Sequence, residues 1–120
     1  MEDSSNPILD TDHLAMVCGD DLDFQREITA EFLAQLDREV DAIAAAVASR
    51  DADALHQNAH ALKGSSSTLG ARALAGACAR LESLGRSTDL SGAEPALEQV
   101  RGEALRLRAA LDGFLRDRAA

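Results

Sequence analysis

Tryptophan and tyrosine are absent from this 120-residue chain; phenylalanine occurs three times, proline and cysteine twice each. With few aromatic and β-branched side chains, there is little to build the packed faces of a β-sheet. Cys18 and Cys78 stand 60 positions apart, which excludes a disulfide-dense scaffold and any Cys-x-x-Cys motif. With no secretory signal, they read as reduced thiols of a cytoplasmic protein. No apolar run approaches the roughly 20 residues that span a bilayer, so no membrane partner is expected. Positive charge is also scarce, 12 Lys and Arg against 21 Asp and Glu, a net charge of -9. A nucleic-acid binder needs a basic face to displace counterions, and that class is excluded.

What is present is mostly alanine and leucine within a 46% hydrophobic composition. Such small and straight-chain residues favour helices packed closely together. The expected fold class is all-α, and 120 residues suffice for one domain with a real core. Acid is unevenly placed: residues 1–50 hold 12 acids and 3 bases, whereas residues 51–120 hold 9 of each. The neutral half therefore suits contact with an anionic group better.

Residues 1–9 read as a loose polar leader and residues 10–118 as a single domain. A short helix is expected from about Asp10, its N-cap, to Cys18, with Gly19 as its stop and Leu14, Val17 and Met16 on its apolar side. Asp20 or Asp21 then caps a long helix to about Ser49. Its stripe is Ile28, Phe32, Leu36, Val40, Ile43 and Val47, over roughly 40 Å at 1.5 Å per residue. Asp51 caps a third helix ending at Gly70. A fourth spans about Ala71 to Leu84, with Leu74, Cys78 and Leu81 inward and Gly85 closing it. The last helix starts either at a Ser91 capping box or with Pro95 in its first position. It carries Leu97, Val100 or Arg101, Ala104, Leu107, Leu111 and Phe114 or Leu115, and ends near Arg116. Short connections predict an antiparallel up-and-down four-helix bundle with the short N-terminal helix as a lid. No second apolar seam is evident, so a monomer is expected.

The third helix holds the chemistry. Leu55, Ala59, Leu62, Ser66 and Leu69 form one buried stripe, and His60 lies beside it. Its helical neighbours are His56, Lys63, Gly64 and Ser67. His60 stands ten residues before Gly70 and Glu82 twelve after it, so the two reach nearly the same level on adjacent helices, roughly 15 and 18 Å from the turn. A carboxylate accepting from Nδ1–H would fix the tautomer and leave Nε2 as the nucleophile. Lys63 sits where it could steady the charge of a phosphoryl group on Nε2. Gly64 costs about 1 kcal/mol relative to alanine in mid-helix. It serves either clearance for a partner's backbone or a close helix contact or kink.

The run His60-Ala61-Leu62-Lys63-Gly64-Ser65-Ser66, then Leu69-Gly70-Ala71 and Cys78-Ala79-Arg80-Leu81-Glu82, resembles the histidine-containing phosphotransfer domain of multistep two-component signalling. The motif covers about 25 residues, and the helix plan resembles the family over nearly the whole chain. The resemblance implies that His60 accepts a phosphoryl group on Nε2 from a phospho-aspartyl receiver domain and passes it to another receiver. Lys63 would hold the phosphoryl charge, Gly64 would clear space for the partner, and Glu82 would orient the imidazole. Partners would be response-regulator receiver domains and an upstream hybrid histidine kinase. They would dock on Leu14, Val17, Ala61, Ser65 and Ser67.

Phosphoryl transfer usually needs a metal ion to neutralise developing charge. No acidic metal pocket or Walker-type phosphate loop accompanies His60, so the chain is expected to bind no cofactor, with Mg²⁺ held by the receiver. It reads as a phosphocarrier, not an ATP-dependent kinase. Rival readings are a metal held by His56 and His60 at i, i+4, the dimerisation part of a sensor kinase, and a purely structural adaptor. Lys63 and the lack of a His-Glu-x-x-His glutamate oppose the first. The helix count opposes the second, and the shared His, Lys and Gly face the third.

Overall fold

In the computed structural model, residues 8–119 are described; the expected leader lies outside them as far as Pro7. They form five α-helices and no strand: α1 (Thr11–Cys18), α2 (Leu22–Ser49), α3 (Ala52–Leu69), α4 (Arg72–Ser87) and α5 (Ala93–Ala119). The first three start where an aspartate side chain accepts from a backbone N–H of the first turn. Asp10 accepts from His13, Asp21 from Phe24 and Asp51 from Ala54, each satisfying a donor that the helix itself leaves unpaired.

The four long helices pack in a closed order: α2 on α3, α3 on α4, α4 on α5, and α5 back on α2. The molecule is 47 Å along its longest axis, which the 28-residue α2 nearly fills. Leu36, Ile43, Leu55, Leu62, Leu74, Leu81, Val100, Leu107 and Leu111 fill the space between the helices and are essentially fully buried. Truncating one of these leucines to alanine removes about 2–5 kcal/mol of stability through lost burial and the cavity left behind.

Several local expectations are corrected. In α1, Leu14 and Cys18 are the buried pair, whereas Met16 is 85% exposed and Val17 is also exposed. One turn per 3.6 residues puts positions i and i+4 on one side, and Met16 falls opposite. Gly85 does not end α4, which runs on to Ser87 and closes with Thr88 in the left-handed region at φ 60°. Pro95 is third in α5, within the first turn where its missing N–H costs nothing. The carbonyl of Gly92 accepts from Ala96. Ser91 makes no capping box; its hydroxyl donates to Asp89.

Gly85 marks the seam that sets the level of the functional stretch. A Cβ built there would stand 2.7 Å from the His56 nitrogen and 2.9 Å from both the Ala52 oxygen and the His56 Cα. The α4 backbone therefore lies directly on the α3 backbone, and Ala59, Ala77 and Cys78 keep the rest of this seam narrow. At the hairpin, Gly70 takes φ 93° and its N–H bonds the Ser67 carbonyl, a backbone state that side-chain-bearing residues rarely adopt. The lid helix is fastened at this turn. Asp10 N–H donates to the Gly70 carbonyl at 2.8 Å, His13 Nε2 donates to the Thr68 carbonyl at 2.9 Å, and Arg72 pairs with Asp10 at 2.8 Å.

Candidate functional site

The site is built on the solvent side of the α3–α4 seam. The buried stripe of α3 is Leu55, Ala59, Leu62, Ser66 and Leu69, which turns His60 outward. Ser65 and Thr68, poor helix formers, are accommodated because their hydroxyls donate back to the Leu62 and Gly64 carbonyls, at 3.2 and 3.0 Å. Gly64 is exposed, the helix continues through it, and a Cβ there would meet nothing within 4 Å. No helix contact requires this glycine, so the close-packing reading of it fails.

Glu82 is the centre of charge. Its side chain is 5% exposed, whereas that of His60 is 66% exposed. His60 Nδ1 lies 2.7 Å from Glu82 Oε2, Lys63 Nζ 2.6 Å from Oε1, and Arg86 Nη2 3.3 Å from Oε2. The hydrogen bond from Lys63 is the largest influence on the carboxyl and holds it well below its usual range, at about 2; burial opposes this and the His60 bond adds to it. An ionised carboxylate only accepts, so Nδ1 carries a proton, and in the neutral ring the lone pair is on Nε2. Such an imidazole can act as a nucleophile toward an electrophile arriving from solvent. Lys63 is engaged with Glu82 and not extended toward solvent.

His56 stacks on His60 with ring centroids 6.3 Å apart, and its Nδ1 is 3.4 Å from the Glu82 carbonyl. Among the described residues, no group of three or more His, Cys, Asp and Glu side chains is placed to hold a metal ion.

The sequence model of the Hpt domain family matches residues 27–113. The chain belongs to that family. Hpt domains are phosphocarriers, not kinases, and histidine phosphotransfer in phosphorelay signalling is the function class this membership brings. The chain is also similar to the crystal structure of histidine-containing phosphotransfer protein B of Pseudomonas aeruginosa PAO1. The TM-score is 0.85 at 30% identity, over 92% of this chain and 96% of that one. No curated protein matches. Among the described residues, no helix of this Hpt domain is long and apolar enough to cross a membrane.

The expected docking residues of the Hpt domain separate into two groups. Ala61, Ser67 and Val17 are exposed and Ser65 half-exposed, and a groove among α1, α2 and α3 is lined by Val17, Ile28, Glu31, Gln35, Ser65 and Thr68. Leu14 is corrected: at 0% exposure it anchors the lid in the core and has no surface to offer a partner. Met16 and Phe24 are also exposed apolar side chains but are not among the expected docking residues. Arg86 is likewise absent from the expected site, lying beyond the end expected for the fourth helix; its i, i+4 spacing from Glu82 was the available signal.

Proposed function

We propose that His60 is the phosphoacceptor of a phosphorelay, taking a phosphoryl group from a phospho-aspartyl receiver domain and passing it to another receiver. The observation that carries this is an exposed imidazole whose Nδ1–H is held by a nearly buried, ionised Glu82. The Nε2 lone pair attacks the phosphorus of the acyl phosphate, the P–O bond breaks, and its electron pair leaves on the receiver's aspartate. The ring, substituted at Nε2 and still protonated at Nδ1, becomes cationic, and Glu82 is in place to stabilise that charge. Lys63 then exchanges Glu82 for the phosphoryl oxygens, and Gly64 leaves room for the receiver's backbone. The divalent cation comes with the receiver, and docking uses Val17, Ala61, Ser65 and Ser67. The frame is read as an antiparallel up-and-down four-helix bundle with a short N-terminal helix, working as a cytoplasmic monomer. An upstream hybrid histidine kinase feeds it.

Incubation with receiver domains phosphorylated by acetyl phosphate and Mg²⁺ tests this reading. The wild-type chain gains acid-labile, base-stable label, and His60→Gln gains none while keeping its helical content. Label surviving in that variant overturns the assignment.

A further inference from the structure

We infer that Arg86 is a positioning residue that holds the Glu82 carboxylate in place against His60 when Lys63 moves off to the phosphoryl group. The inference rests on the phosphoacceptor reading of His60 and adds a residue that reading does not use.

Glu82 is shared by three groups, and they divide its two oxygens unequally. Among the described residues Lys63 alone occupies Oε1; His60 and Arg86 both occupy Oε2. In the free protein Lys63 does most to keep the carboxyl ionised, ahead of His60. If Lys63 is the cation that meets the phosphoryl group, its departure strips Oε1 of its only side-chain partner among the described residues. A carboxylate with 5% of its surface in water cannot recover that loss by solvation. At the same moment the ring becomes cationic, and its Nδ1–H needs Glu82 more than before.

Arg86 is placed to supply the missing charge. It follows Gly85, whose backbone is clamped against Ala52 and His56, so its Cα sits at a fixed height on the seam. It is one turn from Glu82 on the same helix and already 3.3 Å from Oε2, yet its side chain is 67% exposed and free to close the fork over both oxygens. Lys63, on α3, can move between Glu82 and a group on Nε2; Arg86, on α4, stays with Glu82. The division of labour follows from which helix carries each cation.

The test uses the full chain and a receiver domain that labels the wild-type protein. Arg86→Gln lowers the maximal transfer rate about two- to fivefold, the scale of one half-exposed ion pair, and leaves the half-saturating receiver concentration unchanged. Arg86→Lys restores most of the rate. In a Glu82→Gln background, where there is no carboxylate to hold, Arg86→Gln has no further effect. A raised half-saturating concentration with unchanged maximal rate makes Arg86 a receiver contact and overturns the inference. So does an effect of the same size in the Glu82→Gln background.

A second arm needs no phosphoryl transfer and so separates this inference from the reading beneath it. In Lys63→Ala, which imitates the departure of Lys63, the Glu82 carboxyl is titrated by carbon NMR. Adding Arg86→Gln raises its pKa further and weakens the Nδ1–H preference of His60 in the ring nitrogen signals. Identical titrations with and without Arg86 overturn the inference, whether or not His60 accepts phosphate.

Discussion

Gly64 and Gly85 each lie inside a helix of the same hairpin, and they do opposite things. At Gly64 the missing side chain leaves open space on the exposed face next to His60; at Gly85 it is filled at once by the α3 backbone. One glycine lies on the side that meets solvent, the other in the seam that sets how close and how level α3 and α4 stand. The same residue type with the same propensity cost therefore marks a surface device in one place and a structural lock in the other. Burial alone tells them apart.

The largest effect is expected at the lock. Gly85→Ala forces a methyl group to within 2.7 Å of backbone atoms that cannot swing aside. It costs about 1–3 kcal/mol or more, read as a lower urea midpoint, and it spreads the seam so that Glu82 no longer reaches His60. An unchanged midpoint would dissolve the contrast between the two glycines.

The link between the two regions is Glu82, and acid tests it. Its folded carboxyl is depressed to about 2 from 4.5, first by the Lys63 hydrogen bond and then by that from His60, against burial. A depressed carboxylate contributes stability that is fully present above its unfolded pKa. That contribution falls away as pH drops through the window from 4.5 toward 2. The stability difference between wild type and Glu82→Gln is expected to shrink through this window on acidification and to level off above it. A difference that does not vary there would mean the carboxylate is not paired as the structure places it.

The smallest stability effect is expected on the open side. Gly64→Ala meets nothing and replaces the poorer helix former, so it gains up to about 1 kcal/mol. Gly64→Gln keeps the fold but slows transfer to a receiver, by about tenfold if some 1.4 kcal/mol of docking is lost. Normal transfer by Gly64→Gln would remove partner clearance as the reason for the glycine.

Much of the helix plan was legible because it depends on short-range rules. Asp10, Asp21 and Asp51 cap the first three helices as their side-chain chemistry dictates, and Gly19 and Gly70 follow the ends of α1 and α3. Where a helix ends on a residue without that signature, at Arg50 or Thr88 in the left-handed region, propensity gives no warning. That is why Gly85 was mistaken for a stop. Leu14 was misjudged for another reason: on an eight-residue amphipathic helix, period alone does not say which apolar side chain faces the core and which the solvent. The lid's attachment through Asp10, His13 and Arg72 to the α3–α4 turn decides it.

By itself the sequence determined the all-helical class and the face that carries His60, Lys63, Gly64 and Ser67. Both follow from a fixed rotation of about 100° per residue, which needs no knowledge of any neighbour. It also brought Glu82 to the right height, because two straight helices leaving one turn keep step. Only the tertiary structure decided that Lys63 rests on Glu82 in the free protein, that Arg86 shares the same carboxylate, and that Gly85 and not Gly64 is the packed glycine. These depend on the distance between two helix axes, which the small residues of the seam set over many turns at once.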